Sequence, residues 1–273
     1  MEKHKILVLG KGFLGQAFEK KGYEVGGKDK FSLDNELGEY ETNQQLHRLR
    51  VWEYDVIINC IGKSNTRWCE QPENWEETFN ANAEIPRILS NYFGMTGKKF
   101  VHISTGCFYD KNDAPKREDD NLAIATHCNY TLSKLVGEHF CNPEKDLIVR
   151  PRLYCGDFGD KNNLLCKLSK FERHLTEQNS YTSVHVIVDA VSALLDAEQS
   201  GIFNVACDRS ASVKDLAEWC GLPSRETISA EELRQQQGIY LVNNIMDISK
   251  LQKFYQPPKL KDEIIRCWSG LKK

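Results

Sequence analysis

Tyr130 and Lys134 stand four residues apart in "YTLSK", and on a helix that spacing places both side chains on one face. A tyrosine hydroxyl ordinarily ionises near pH ~10 and is a poor proton donor or acceptor at neutrality. A neighbouring ammonium favours the ionised form, so the two together can protonate a ketone oxygen as a hydride arrives from a nicotinamide. Earlier in the chain, "KKFVHIST" climbs as an apolar run to Ser104 and Thr105, then meets Gly106 and Cys107. A strand that ends in hydroxyls, a glycine and a thiol is a place where chemistry can be done. The ten cysteines fall at 60, 69, 107, 128, 141, 155, 166, 207, 220 and 267, with no CxxC pair and no His/Cys cluster. That pattern argues against a metal site and against a disulfide framework. On composition alone most are expected to be small buried thiols, and Cys107 is no exception.

A second constellation lies at the other end of the chain. "LGKGFLGQAF" holds Gly10-x-Gly12-x-x-Gly15, with Lys11, Phe13 and Leu14 between, directly after a strand-like run and opening a helix. The first glycine allows the tight turn, the second lets backbone approach a pyrophosphate, and the third packs helix on strand. The helix N-terminus then offers its positive dipole end to the anion. After the next strand the chain reads Gly27, Lys28, Asp29, Lys30. Two lysines flanking one aspartate, with Lys11 in the glycine loop, suit a ribose 2′-phosphate. NADPH is therefore the preferred cofactor of the NADP(H) pair, with NAD(H) as the alternative.

The elements that must position these residues follow from periodicity. "KILVLG", "YEVGG", "YDVIINCIG", "KKFVHIST" and "KDLIVRP" read as strands, the third and fourth of these as strands four and five of a parallel series, and the last stopped by Pro151. Helices fit at "FLGQAFEKKG", ending near Gly22, and at about 79–96 and 128–141. Repeated βα units of this kind imply an α/β protein with a right-handed, doubly wound parallel sheet. After Pro151 the pattern loosens into a polar loop and a helix-like "LLCKLSKFER". "SVHVIVDAVSALLDA" then looks like a strand leading into a helix, and "GIFNVA" like a returning strand. The expected organisation is a nucleotide-binding domain over 1–155 and a smaller interleaved substrate-binding lobe over 156–273, with 184–206 returning to the sheet.

The 273 residues carry 36 basic and 39 acidic side chains, a formal net charge of −3. No basic block points to nucleic acid, and no apolar run approaches the ~20 residues that span a bilayer. "MEKHKILVLG" enters a strand at once and lacks the layout of a signal peptide. A soluble, cytoplasmic protein is expected.

Taken together, the glycine loop, the Ser104-Thr105 strand end and the Tyr130/Lys134 pair resemble the extended short-chain dehydrogenase/reductase family, whose fold is of Rossmann type. The resemblance implies a role for each matching residue. Thr105 matches the hydroxyl partner of the tyrosine, Tyr130 the acid/base, and Lys134 the lysine that binds the nicotinamide ribose. "NCIG", Asn59, Cys60, Ile61 and Gly62, matches the segment beside the cofactor, and "FNANAEIP" supplies the recurrent asparagine at Asn82. "VRPRLYCG", with Arg150 and Pro151, matches the segment near the nicotinamide, although Cys155 replaces the tyrosine usual before its glycine.

Further stretches resemble the dTDP-4-dehydrorhamnose reductase group, and within it the bifunctional 3,5-epimerase/4-reductase branch. They are "RWCE" (67–70), "STGCFYD" (104–110), "NNLLCKLSKFER" (162–173), "GIFNVA" (201–206) and "NNIMDISKL" (243–251). In that branch the C4 ketone acidifies the hydrogens at C3 and C5, and two groups on opposite faces of the sugar are needed to remove and return protons. Cys107 matches one of them, and Lys167 matches a lysine that serves as the other. GDP-fucose synthases use a histidine there, whereas this chain has Asn162 and Asn163 and no histidine before His174. The resemblance implies a substrate site of Thr105, Gly106, Cys107, Asn163 and Lys167. Its ligand would be a nucleotide-diphosphate sugar, a UDP-linked 4-keto-6-deoxyhexose before a dTDP-linked one, and a homodimer is expected through the helices near 79–96 and 128–141. Two alternatives stand beside this: a reductase of dTDP-4-dehydrorhamnose alone, and a non-catalytic binding subunit on the same fold.

Overall fold

A computed structural model describes residues 4–26, 44, 46–47, 50–109, 114–122, 128–237 and 241–272. In chain order its strands are β1 (Ile6–Leu9), β2 (Glu24–Gly26), β3 (Val56–Asn59), β4 (Lys99–Ile103), β5 (Leu147–Pro151), β6 (Tyr154–Cys155), β7 (Arg173–Leu175), β8 (Thr182–Ser183), β9 (Gly201–Val205) and β10 (Glu226–Ile228). The helices are α1 (Phe13–Lys20), α2 (Thr66–Cys69), α3 (Trp75–Phe79), α4 (Ile85–Thr96), α5 (Asn129–His139), α6 (Leu164–Leu168), α7 (Val184–Asp196), α8 (Val213–Trp219), α9 (Ala230–Gln237) and α10 (Leu260–Leu271). Contacts divide the chain into two compact units. Unit 1 comprises Met1–Thr105, Thr126–Val149 and Glu198–Ile202, and unit 2 comprises Gly106–Ala125, Arg150–Ala197 and Phe203–Lys273.

The central sheet has six strands in the order β2-β1-β3-β4-β5-β9. Its β2–β1, β1–β3, β3–β4 and β4–β5 pairs are parallel. β3 and β5 are buried along their whole length, which is why they read as continuous apolar runs. The chain steps from β1 out to β2 and then back to β3 on the other side of β1. That reversal is the topological switch point at which open α/β sheets bind ligands. Leu9, Asn59 and His102 share one register across β1, β3 and β4, so these strands end within one residue of each other. Behind them Leu7, Leu9, Val51, Tyr54, Ile57, Ile85, Leu89, Phe93, Phe100 and Ile148 form the core of unit 1.

Three elements differ from their expected form. The helix expected over 79–96 is α3, a π-helical turn at Asn80–Glu84 and then α4. "SVHV" is helix rather than strand. Ser183 caps α7 by accepting from the Val186 amide at 3.1 Å, and burial of Val184, Val186, Ile187, Val188, Ala190 and Val191 rewards the helix despite its β-branched residues. Val184, Val186, Ile187 and Val188 crowd its first turns with β-branched side chains, which read locally as a strand. The helix expected through "LLCKLSKFER" stops at Leu168, and Arg173–Leu175 instead forms β7, paired in parallel with β10. Among the described residues β3 and β4 are third and fourth in chain order, rather than fourth and fifth; residues 27–43 lie outside those residues.

Candidate functional site

Unit 1 gathers its candidate residues at the ends of β1, β3 and β4. Gly10 turns the chain with φ +105°, and a Cβ on Gly15 would lie 1.8 Å from the Gly10 carbonyl oxygen. Turn and helix therefore close on each other with no side chain between them. A Cβ on Gly12 would meet nothing within 4 Å, so the backbone there stands open. Gly12 caps α1 without a side-chain hydrogen bond, and no acidic residue occupies the first turn. An anion is suited to such a helix end. Phe13 and Leu14 are buried and hold α1 in place, while Lys11 reaches Glu19 at 3.3 Å. Lys28, Asp29 and Lys30 lie outside the described residues.

The turn after β3 is fixed by its own side chains. Asn59 is fully buried, accepts from the Ile61 amide at 3.0 Å and stands 3.4 Å from Nδ1 of His102. Burial pushes the Cys60 thiol up, out of the range where it would ionise. A Cβ on Gly62 would lie 3.0 Å from Asn82 Oδ1 and 3.8 Å from Lys134 Nζ, so the turn passes close to both. Asn82 sits on the π-helical turn, a distortion that often marks function. Its amide accepts from the Lys63 N–H at 2.8 Å and donates to the Lys63 carbonyl and to Ser133 Oγ, both at 3.0 Å.

Tyr130 and Lys134 both lie on α5, as their spacing predicts, and Lys134 Nζ donates to the Ile103 carbonyl at 2.7 Å. Lys134 is 5 % exposed, and burial brings its pKa down from 10.5 to about 8 against the opposing pull of Cys141, Glu138 and Cys60. His102, fully buried, is held well below the usual histidine range first by burial and then by the Lys134 charge, so it is neutral. Ser104 donates to Glu138 Oε2 at 2.5 Å, Thr105 is buried, and the Tyr130 amide faces Glu70 Oε1 at 3.4 Å. A Cβ on Gly137 would lie 2.0 Å from the Asn82 carbonyl oxygen, so α5 seats directly against the π-helical turn.

Unit 2 begins at Gly106 and carries the remaining candidates. Cys107 is half-exposed, and Arg152 Nη1 donates to its sulfur at 3.0 Å. Gly106 donates to the Pro151 carbonyl at 2.8 Å, and a Cβ on Gly106 would meet the Met246 sulfur at 2.3 Å. The space that this glycine leaves is thus filled by Met246. Arg150 is buried, donates to Tyr109 Oη at 2.6 Å and lies over the Phe108 ring. Asn163 caps α6, accepting from the Leu165 amide at 3.1 Å and donating to the Gly156 and Phe158 carbonyls. Fully buried, it presents no amide to a ligand. Lys167 is exposed at the end of α6; crowding lowers its pKa while Asp160 and Cys166 oppose, and solvent screening keeps that effect small.

Two contributors escaped the sequence reading. Glu138 lies one helical turn beyond Lys134, a spacing that could have flagged it. Arg152 is the second arginine of "RPR", and nothing in the sequence links it to Cys107, 45 positions away.

The parallel sheet with its switch point, the glycine turn after β1 and the buried lysine at the end of β4 define a dinucleotide-binding fold of Rossmann type. Residues 6–147, just over half of the chain, match the NAD dependent epimerase/dehydratase family, and the chain belongs to that family. No curated protein matches the sequence. Solved structures similar to it include the UDP-rhamnose synthase of Acanthamoeba polyphaga mimivirus, at 17 % identity and TM-score 0.83 over 98 % of this chain and 100 % of that one. A dTDP-4-dehydrorhamnose reductase of Clostridium acetobutylicum follows at 22 % identity and TM-score 0.82, covering 98 % and 99 %. The dTDP-4-dehydrorhamnose reductase of Bacillus anthracis, solved with NADP, gives 21 % identity and TM-score 0.81 over the same shares. These likenesses fix the fold along nearly the whole chain. No helix among the described residues is long and apolar enough to cross a membrane.

Proposed function

We propose that this protein is a nucleotide-sugar 3,5-epimerase/4-keto-reductase that makes UDP-L-rhamnose from UDP-4-keto-6-deoxy-D-glucose with NADPH. The observation that carries the reading is one chain holding both a Tyr130/Lys134 helix and a half-exposed thiol, Cys107, two positions beyond Thr105. The open backbone at Gly12 and the uncapped end of α1 fit a dinucleotide pyrophosphate, with Asn59 to Gly62 and Lys134 toward its nicotinamide half. When bound, that cofactor supplies a hydride to C4.

The residues divide the chemistry between them. The Cys107 sulfur, ionised, takes a proton from C3 or C5; the S–H bond forms as the C–H pair moves into an enolate with its charge on the C4 oxygen. The Lys167 ammonium returns a proton to the carbon from the opposite face, and both groups recover their protonation through solvent. Thr105 and Tyr130 donate to the C4 oxygen, and Tyr130 gives up its proton to that oxygen as C4 is reduced. Lys134 holds the ribose and favours the ionised tyrosine that remains.

NADPH oxidation with UDP- and dTDP-linked 4-keto sugars, followed by NMR of the product, tests the activity and the nucleotide preference. Replacing Cys107 by alanine is expected to lower epimerisation at least ~100-fold, while reduction of the pre-epimerised sugar continues; equal loss of both activities counts against a dedicated role. A reductase acting on dTDP-4-dehydrorhamnose alone is the second reading, favoured by the names of two of the similar structures. A non-catalytic subunit would bind NADPH without turning it over. Cytoplasmic location and a homodimer through α4 and α5 belong to the same proposal.

A further inference from the structure

Arg152 is 3 % exposed, and a buried guanidinium is costly unless an opposite charge meets it. Its contacts are the Cys107 sulfur at 3.0 Å, Asn179 Oδ1 at 3.1 Å and the Val242 carbonyl. Among the described residues no carboxylate pairs with it, and its Nε is buried without a partner. Of the three groups it touches, only the sulfur can ionise. Tyr181, an acid within its field, is kept in its neutral form by burial.

The two partners are held by one network. Asn179 Oδ1 accepts from Arg152 and also from the Asn244 amide at 3.1 Å. The Asn244 side chain donates to the Gly106 and Tyr109 carbonyls, at 2.9 and 2.8 Å, and so pins the turn that carries Cys107 on both sides of the thiol. The Asn179 side chain donates in turn to Asn243 at 2.6 Å, and the Arg152 backbone amide donates to Thr182 Oγ1 at 2.8 Å. Guanidinium and thiol therefore keep their distance without either having to adjust.

We propose that Arg152 is a positioning residue that aims the Cys107 sulfur through a hydrogen bond from its guanidinium. This deepens the proposed function and rests on it for the use to which the sulfur is put, proton removal beside the C4 ketone. Loss of such a hydrogen bond acts on the scale of about a tenfold change.

The test compares Cys107 with Cys166, the other half-exposed thiol of unit 2, whose charged neighbour is the exposed Lys167 rather than a buried guanidinium. In the unmodified chain at neutral pH, iodoacetamide is expected to alkylate Cys107 at least ~10-fold faster than Cys166, read by peptide mass spectrometry. Equal rates would overturn the proposal without any variant having to fold. Arg152→Gln removes the guanidinium, and should lower the Cys107/Cys166 rate ratio by roughly tenfold. Arg152→Lys should restore most of it. Deuterium wash-in at C3 and C5 of the 4-keto sugar should fall and recover in step. Equal ratios in both variants and the parent, or an equal loss in both, would also overturn it. Cys107→Ala separates the two claims: wash-in that survives it sinks the epimerase role of the thiol, while the alkylation ratios still decide the pairing.

Discussion

Units 1 and 2 place their candidate groups by opposite means. In unit 1 strand ends and glycines do it: Gly10 and Gly15 shape the turn after β1, and the Ile103 carbonyl receives the ammonium of Lys134. In unit 2 a chain of side chains does it, Asn179 to Arg152 to Cys107 and Asn179 to Asn244 to the turn around Cys107. The first kind of site follows from the sheet and is shared wherever that sheet occurs. The second depends on particular residues far apart in sequence, and can change while the fold stays. On the proposed reading, reduction belongs to the first and epimerisation to the second.

The difference can be broken in four ways. The largest effect is expected from Tyr130→Phe, which removes the proton donor of unit 1. Reduction of the pre-epimerised sugar should fall by about 10²–10⁴ in kcat, with deuterium wash-in falling less, because Thr105 still donates to the C4 oxygen of the enolate. Equal loss of the two activities would mean that the division between the units is false. Next is Gly15→Ala, whose Cβ would lie 1.8 Å from the Gly10 oxygen. Overpacking there should cost about 1–3 kcal/mol in urea unfolding and raise the Kd for NADPH. Unchanged binding would show that the turn is not the pyrophosphate site.

Lys134→Met sharpens the comparison through pH. Burial lowers the folded-state pKa of Lys134 to about 8 from 10.5. Between those values the unfolded chain keeps a proton at this lysine that the folded chain has released, so stability rises with pH across that window. Below about pH 8 the penalty is present in full. In the protein without cofactor, Lys134→Met should therefore stabilise by about 1–3 kcal/mol below pH 8, the gain fading to nothing by about pH 10.5, even as reduction is lost. A variant less stable at every pH would contradict an ammonium that burial penalises. The smallest effect is expected from Asn163→Ala. Losing the cap of α6 should cost about 1 kcal/mol and leave the KM for the sugar unchanged; a raised KM would return Asn163 to the substrate.

What the sequence disclosed follows the same division. The glycine turn, β3, β4, α5 and the Tyr130/Lys134 face could all be read, because each is a local pattern: an apolar run, a turn residue, a spacing of four. The helical nature of "SVHV" could not, since its β-branched residues favour a strand locally and the Ser183 cap that starts the helix there is a matter of geometry. Asn163 resembled a substrate ligand because a polar side chain beside Lys167 reads the same whether it caps a helix or meets a sugar. Gly106 falls in the substrate site that the resemblance implies, and the space beside it is taken by Met246, whose approach no local pattern announces. Arg152 was hidden for the same reason: its partner is distant in sequence and its neighbours form no motif.

The proposed reading stands or falls on whether one chain both moves protons at carbon and reduces the ketone. The most direct measurement is the reaction of UDP-4-keto-6-deoxy-D-glucose with NADPH and this protein alone in D₂O, with the product examined by NMR. The account expects UDP-L-rhamnose bearing deuterium at C3 and C5 and none delivered by the cofactor to C4. A reduced sugar with no deuterium at C3 or C5, or no turnover until a separate epimerase is added, would contradict it.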